Sequence, residues 1–218
     1  MGKSAIGESD SPQARRKAII GLLAIAIILS VDFYRQLFPA PILNDLLLYL
    51  TLPLLIILLI YRENPLKYGL SPGRWREGLL WTAGGVVLMF GVAWLLAYLA
   101  EFRVYYAGYY PARDPGGGGA YTWRDVGLSG LQMFAWEFLF RGFLLFALAD
   151  LFGPYAIWIQ VVPFALAHFG KPELETYLSI PGGVLSGWIA YRVGSFYPAW
   201  LIHWALAAGL GWLVMSGA

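Results

Sequence analysis

The sequence predicts an all-α protein, a polytopic transmembrane helical bundle with about seven spans. Its mean hydropathy is +0.62, and 59% of the 218 residues are hydrophobic whereas only 13% are charged. A soluble domain of this size would carry charges on about a quarter of its residues. Composition therefore decides the fold class before any motif is considered.

Apolar runs near the ~20 residues that cross the hydrocarbon layer recur along the chain. They predict spans at residues 18–37, 42–61, 78–100, 126–149, 154–169, 174–193 and 196–215. Residues 1–17 form a predicted cytoplasmic tail, and residues 18–218 form one integral membrane domain. The segment 101–123, with Pro115 and the glycines at 116–119, is predicted to be a flexible exterior loop.

Basic residues predict the orientation in the membrane. One cluster precedes the first span and another follows the second: Arg15, Arg16, Lys17, then Arg62, Lys67, Arg74 and Arg76. Both clusters belong on the cytoplasmic side under the positive-inside rule. We therefore expect an integral protein of a prokaryotic plasma membrane with its N-terminus in the cytoplasm. The net charge of +2 is too small to suggest a nucleic-acid partner, and the absence of cysteine excludes disulfides and thiolate chemistry.

Two ionisable residues stand in the middle of the fourth predicted span. Glu137 and Arg141 lie four residues apart, on one face of a helix, within an otherwise apolar stretch. An ionisable side chain at membrane depth costs about 2.5–3.5 kcal/mol on insertion scales. Such residues are rarely present without a function, so the search for a site begins here.

The two histidines of the chain, His168 and His203, are also predicted to lie inside spans. At ~1.5 Å of rise per residue, Glu137 and His168 both lie roughly 22 Å from the same membrane face, so they can face one another. His203 lies roughly 13 Å from that face. Two intramembrane histidines together with a glutamate favour a site over separate structural hydrogen bonds.

The depth mismatch of His203 requires a tilted or broken helix. Pro181 and its neighbouring glycines predict a break in the sixth span. Gly183 and Gly187, four residues apart, form a small-residue face on which another helix can pack closely.

Three motifs in this order resemble those of a known family: Glu137-x-x-x-Arg141-Gly142, Phe164-x-x-x-His168, and His203 on a later helix. They resemble the CAAX prenyl protease and bacteriocin-processing (CPBP, or Abi) family of intramembrane glutamic endopeptidases. The resemblance covers residues 124–212 and extends to the Arg192-Val193-Gly194-Ser195 turn. Each motif alone would be weak, whereas the set is quite specific.

The resemblance implies hydrolysis of peptide bonds in membrane-associated proteins or peptides, in contact with the lipid bilayer. Glu137 and His168 would activate water, and His203 would stabilise the oxyanion. Arg141 would orient Glu137 and balance its charge. Phe164 and Trp136 are the residues expected to contact the substrate.

Two positions depart from the family pattern. The first of the family's paired glutamates, to which water activation is usually assigned, corresponds to Trp136, and the asparagine four residues after the last histidine corresponds to Ala207. These departures favour an alternative, a catalytically silent relative that binds or scaffolds peptides. A small proton-coupled transporter is a further alternative, because buried Glu and His residues relay protons in pumps.

The chemistry of these residues leaves a metal alternative open. Glu137, His168 and His203 would make a His₂Glu zinc set with an open position for water, but the resemblance implies catalysis without a metal or other cofactor. Glu173 and Glu175 follow His168 and offer a second carboxylate, although a solvated or capping position at a helix start is the favoured interpretation.

Overall fold

A computed structural model describes residues 11–113 and 121–217 of the chain, and the regular secondary structure of these residues is helical, without a β-strand. This confirms the predicted fold class. The α-helices, in chain order, are α1 (Pro12–Tyr34), α2 (Pro41–Asp45), α3 (Leu52–Leu55), α4 (Trp75–Leu96), α5 (Ala100–Arg113), α6 (Trp123–Glu137), α7 (Leu145–Phe152), α8 (Ala156–Leu166), α9 (Glu173–Val193) and α10 (Tyr197–Ser216).

Five segments of the described chain are long and apolar enough to cross a membrane. The segment from Trp123 to Leu166 has 44 residues and would extend about 66 Å, twice the thickness of the hydrocarbon layer. It is divided at Gly153, whose φ of 54° ends α7 and lets the chain turn into α8. This segment therefore supplies two of the predicted spans. With α9, the helices agree with a bundle of about seven spans.

The fifth predicted span is shorter than expected. The sequence placed His168 inside it, but α8 ends at Leu166, and His168 lies in the turn that leads to α9. The His168 N–H bonds the carbonyl of Ala165 at 3.0 Å, which is a tighter turn than an α-helix makes. Gly170 then takes a φ of 89°, in the left-handed region that favours glycine. The histidine is thus held by a turn and not by a helix.

The break predicted in the sixth span is absent. α9 is continuous from Glu173 to Val193 with Pro181 inside it. Its small-residue face is confirmed, because a Cβ added at Gly187 would lie 2.7 Å from Gln160 Nε2 of α8. Gln160 also donates to the carbonyl of Gly183 at 3.0 Å. Close packing of α9 on α8 stabilises the helix where proline alone would weaken it.

A buried turn before α10, and not a break in the sixth span, explains how His203 lies at the depth of Glu137. Ser195 and Phe196, which precede α10, are both 0% exposed, and the Phe196 N–H donates to the Gly69 carbonyl at 3.2 Å. α10 consequently begins inside the bundle. Gly142 allows this arrangement, since a Cβ there would lie 2.9 Å from the carbonyl oxygen of Tyr68, the residue before Gly69. His203, one and a half turns into α10, therefore reaches the depth of Glu137.

The predicted exterior loop at residues 101–123 contains a helix, and in this respect the prediction was wrong. α5 runs from Ala100 to Arg113, and its tyrosines stack on one another, with Tyr106 and Tyr110 ring centroids 5.6 Å apart. Tyr110 also donates to the Ala207 carbonyl of α10 at 2.9 Å. Packing of aromatic rings thus stabilises a helix in a segment for which the local sequence predicted a loop. The glycines at 116–119 lie outside the described residues.

Ion pairs connect the helix ends that were predicted to share one membrane face. Lys17 pairs with Glu63 at 3.3 Å and also with Asp150, which joins α1, the end of the second span and α7. Arg192 of α9 pairs with Glu77 of α4. The basic clusters therefore lie at one end of the bundle, and their cytoplasmic orientation stays a prediction.

Candidate active site

A carboxylate buried between an arginine and a histidine forms the centre of the site. Glu137 Oε1 accepts a hydrogen bond from Arg141 Nη1 at 3.0 Å, and the same oxygen lies 2.6 Å from Nδ1 of His203. Glu137 and Arg141 are both 0% exposed. Because an ion pair interacts more strongly away from water, Arg141 stabilises the ionised form of Glu137. Since an ionised carboxylate only accepts, His203 donates its Nδ1–H to it.

The helix changes from the α to the wider π form directly after Glu137. Residues Phe138–Leu144 form a π-helical segment, a local form that is frequent at functional sites. Trp136 and Glu137 are both buried although neighbouring residues on a regular helix point about 100° apart. The Trp136 ring lies edge-on to His168 with centroids 5.6 Å apart, whereas Glu137 contacts α10. These two neighbouring side chains therefore contact different histidines.

Several buried polar atoms of the site have no hydrogen-bond partner in the described part of the protein. They are Glu137 Oε2, Arg141 Nε and Nη2, and Trp136 Nε1. The cost of leaving a buried donor or acceptor unpaired is about 1–3 kcal/mol, and more for charged groups. Glu137 Oε2 is therefore an acceptor, and Arg141 a donor, for a ligand or for water.

Phe164 is the centre around which the other groups are arranged. Its ring lies 3.7 Å from the Arg141 guanidinium carbon, a cation–π contact that holds the guanidinium in place. The same ring is 4.5 Å from the His168 ring and 6.3 Å from the His203 ring. His168 Nδ1 is 2.8 Å from the Phe164 carbonyl oxygen, so it donates to that carbonyl when His168 is neutral.

The structure brings Glu137, Arg141 and His203 into direct contact. It does not join Glu137 to His168 by a hydrogen bond among the described residues, so the two groups expected to hold one water are not in direct contact. Phe164 and Trp136 are both buried and do not line the cavity beside His203. Substrate contact by these two residues stays a prediction.

A small cavity opens beside His203. Its volume is about 50 Å³, enough for one water molecule or a carbonyl group. The His203 side chain is 18% exposed, whereas that of Glu137 is 1% exposed. His203 is therefore the member of the central pair that a molecule in the cavity can reach.

The lining of the same cavity contains charged residues that the sequence did not single out as catalytic. Lys171 Nζ donates to Glu175 Oε1 at 2.9 Å, and the Tyr106 hydroxyl donates to Glu175 Oε2 at 2.6 Å. Burial lowers the pKa of Lys171, but the Glu175 carboxylate and neighbouring tyrosines such as Tyr109 raise it more, so the net pKa lies above its usual value. The signal available in the sequence was the spacing of four between Lys171 and Glu175, just after His168.

A larger groove lies outside the cavity. It measures about 370 Å³ and is lined by Pro39, Pro41 and the start of α6. Tyr109 and Gln132 line both the groove and the cavity, and Gln132 Nε2 donates to the Tyr109 hydroxyl at 3.0 Å. The groove and the cavity therefore share part of their lining.

The zinc alternative requires three ligands that converge on one point. Within the described residues, no group of three His, Cys, Asp or Glu side chains is arranged to hold a metal ion. Glu137 contacts His203, while Nδ1 of His168 lies 2.8 Å from the Phe164 carbonyl oxygen. The arrangement therefore gives the His₂Glu set no support from geometry.

Comparison with known proteins finds one family model that is similar to the part of the chain that carries the site. Residues 121–209 match the family model described as type II CAAX prenyl endopeptidase Rce1-like. The match nearly coincides with the predicted 124–212 and includes Glu137, Arg141 and both histidines, so the resemblance to CAAX proteases is confirmed. None of the curated proteins and none of the solved structures matches the chain significantly.

Proposed function

We propose that this chain, which carries an Rce1-like domain over residues 121–209, is an integral membrane endopeptidase that hydrolyses peptide bonds of membrane-associated proteins or peptides. The family is a protease family, which supports an endopeptidase in general terms. The identity of the base, the route of the proton and the oxyanion donor are the finer parts of the proposal.

One observation carries the proposal, the 2.6 Å contact between Glu137 Oε1 and His203 Nδ1. A buried carboxylate that accepts the Nδ1–H of a histidine fixes the tautomer, so that Nε2 carries the lone pair. It also stabilises the imidazolium that forms when Nε2 takes a proton. Arg141 keeps Glu137 ionised, and the exposure of His203 to the cavity lets a water molecule reach the ring.

The reaction follows from this geometry. His203 Nε2 removes a proton from water while the water oxygen bonds to the peptide carbonyl carbon, which gives a tetrahedral oxyanion. The C–N bond then breaks, the carbonyl re-forms as a carboxylic acid, and the departing amine takes the proton back from His203. The carboxylate of Glu137 stays ionised throughout and acts through the histidine.

This proposal redistributes the roles that the resemblance implied. His203 moves from oxyanion donor to base, and Glu137 orients it. His168 stays a predicted member of the site, whose Nδ1 is held by the Phe164 carbonyl and whose ring contacts Trp136. We propose that it supports substrate or a second water.

The test is cleavage by the purified protein. The chain is reconstituted in lipid vesicles with membrane-anchored reporter peptides, and products are identified by mass spectrometry. Glu137→Gln removes the charge that holds His203 while keeping the size of the side chain, so we expect turnover to be lost with the protein folded. Glu173→Gln is the matched control, because Glu173 is exposed and hydrogen-bonds Tyr177 at the surface. Cleavage that persists in Glu137→Gln overturns the proposed mechanism.

A silent relative that binds peptides is the second candidate. It is supported by Trp136, whose ring lies against His168 at the position of the family's first glutamate, and by Ala207, which brings no donor to the cavity. Reporter peptides that bind the wild-type protein in vesicles but are never cleaved would favour this candidate.

A further inference from the structure

Two charged residues that line the same cavity as His203 have no role in the mechanism so far. Lys171, in the turn after α8, and Glu175, in the first turn of α9, form an i,i+4 ion pair of 2.9 Å. Both side chains are largely buried, with exposures of 21% and 16%. They line the same cavity as His203. An ionic group in this position is expensive to desolvate and so suggests a function.

The proposed reaction has no donor for the oxyanion assigned on the cavity side, because Arg141, whose free N–H groups could donate, is 0% exposed and does not line the cavity. His203 is protonated by water in the first step, and its Nδ1–H is already bonded to Glu137, so it has no N–H left for the substrate oxygen before that step. Ala207 lies in the cavity wall with an apolar side chain. Removing one oxyanion donor typically costs 10²–10³-fold in turnover, so an efficient site needs a replacement.

Lys171 has N–H groups that its bond to Glu175 does not use. An ammonium carries three N–H groups, and the bond to Glu175 uses one of them. Its position is defined by that bond and by the Trp136 ring, whose centroid lies 5.5 Å from Nζ. The Tyr106 hydroxyl holds the other oxygen of Glu175, which fixes the anchor in turn. The ammonium is therefore preorganised, as a group that stabilises a transition state should be.

We propose that Lys171 is a catalytic residue that donates a hydrogen bond from Nζ to the tetrahedral oxyanion, with Glu175 and Tyr106 as its positioning residues. The inference rests on the proposed peptidase activity. The peptide carbonyl would then lie between His203 and Lys171, with its oxygen directed to the α8–α9 turn. Trp136, at the position of the family's first glutamate, would form the ring against which the ammonium rests.

The experiment compares Lys171→Met with Lys171→Arg in vesicles, using a cleavable peptide and its phosphinate analogue, a mimic of the tetrahedral intermediate. For Lys171→Met we expect kcat to fall by about 10²-fold, the phosphinate to bind weaker by a similar factor and KM to change little. Lys171→Arg keeps the charge and should recover part of kcat. Lys67→Met, an exposed lysine remote from the cavity, should match wild type.

The outcomes separate the inference from the function on which it rests. If wild type cleaves and Lys171→Met keeps its kcat, the inference is wrong. It is also wrong if Lys171→Met loses activity only in proportion to its loss of thermal stability while its affinity for the phosphinate is unchanged, because Lys171 is then a structural residue. If wild type does not cleave, the peptidase proposal and this inference both fall. If Lys171→Met does not fold, Glu175→Gln takes its place, because it releases the Lys171 ammonium from its carboxylate partner. Its kcat and its affinity for the phosphinate are compared with those of wild type, and unchanged values overturn the inference.

Discussion

Glu137 Oε1 and His203 Nδ1 lie 2.6 Å apart although 66 positions separate the two residues in the chain. One residue ends α6 and the other lies on α10, which begins at a turn buried inside the bundle. The contact joins a fully buried, arginine-paired carboxylate to the only histidine that lines the described cavity. The predictions below test what this pair does.

Replacing His203, the proposed base, should lower activity more than replacing His168. For His203→Gln we expect kcat to fall by 10²–10⁴-fold, the usual contribution of general-base catalysis. His168→Gln should lose less, because among the described residues His168 has no hydrogen bond to Glu137 and its Nδ1 is held by the Phe164 carbonyl. The measurement is kcat for each folded variant, with thermal stability measured in parallel. A larger loss in His168→Gln would return water activation to that histidine.

Activity should not depend on a bound metal. Since Glu137 and His203 supply both the orienting charge and the proton acceptor, treatment with a strong chelator should leave turnover unchanged. Elemental analysis of the purified protein accompanies the assay. About one zinc per chain, lost together with activity and restored with it, would establish the His₂Glu alternative instead.

Trp136→Glu tests the departure from the family pattern. The side chain is buried and packs edge-on against Tyr49 and His168, so replacing it should cost about 3–5 kcal/mol of packing, offset in part by attraction to Lys171. We expect a lower melting temperature and no gain in cleavage. Trp136→Phe, which keeps an aromatic ring, is the control. Cleavage by Trp136→Glu beside an inactive wild type would instead support the silent relative.

Paired glycine substitutions test the packing beneath Arg141. A Cβ at Gly183 would lie 3.0 Å from Phe164 Cδ1 and 3.5 Å from Arg141 Nη2, while one at Gly182 meets nothing within 4 Å. Overpacking of this kind typically costs 1–3 kcal/mol. We expect Gly183→Ala to lower both thermal stability and kcat, and Gly182→Ala to leave both near wild type. Equal behaviour of the two variants would show that the position of Phe164 does not matter for turnover.

Much of the site was predictable because local sequence determines it. A glutamate and an arginine four residues apart on a helix must be neighbours, and their pair is present as expected. The family match also follows from local motifs in a fixed order. The role of His203 was not predictable, because ideal helix rise placed it at the wrong depth. The buried Ser195–Phe196 turn, bonded to Gly69 from a distant part of the chain, corrects that depth.

The sequence by itself determined the membrane class, the helical fold and the identity of the polar residues at depth, since hydrophobicity and helical spacing are properties of neighbouring residues. Only the tertiary structure decided which histidine meets Glu137, that Trp136 faces His168, and that Lys171 shares a cavity with His203. These relationships depend on where helices begin and how closely they pack. Such distances are set by contacts among residues far apart in the chain, and local patterns carry no information about them.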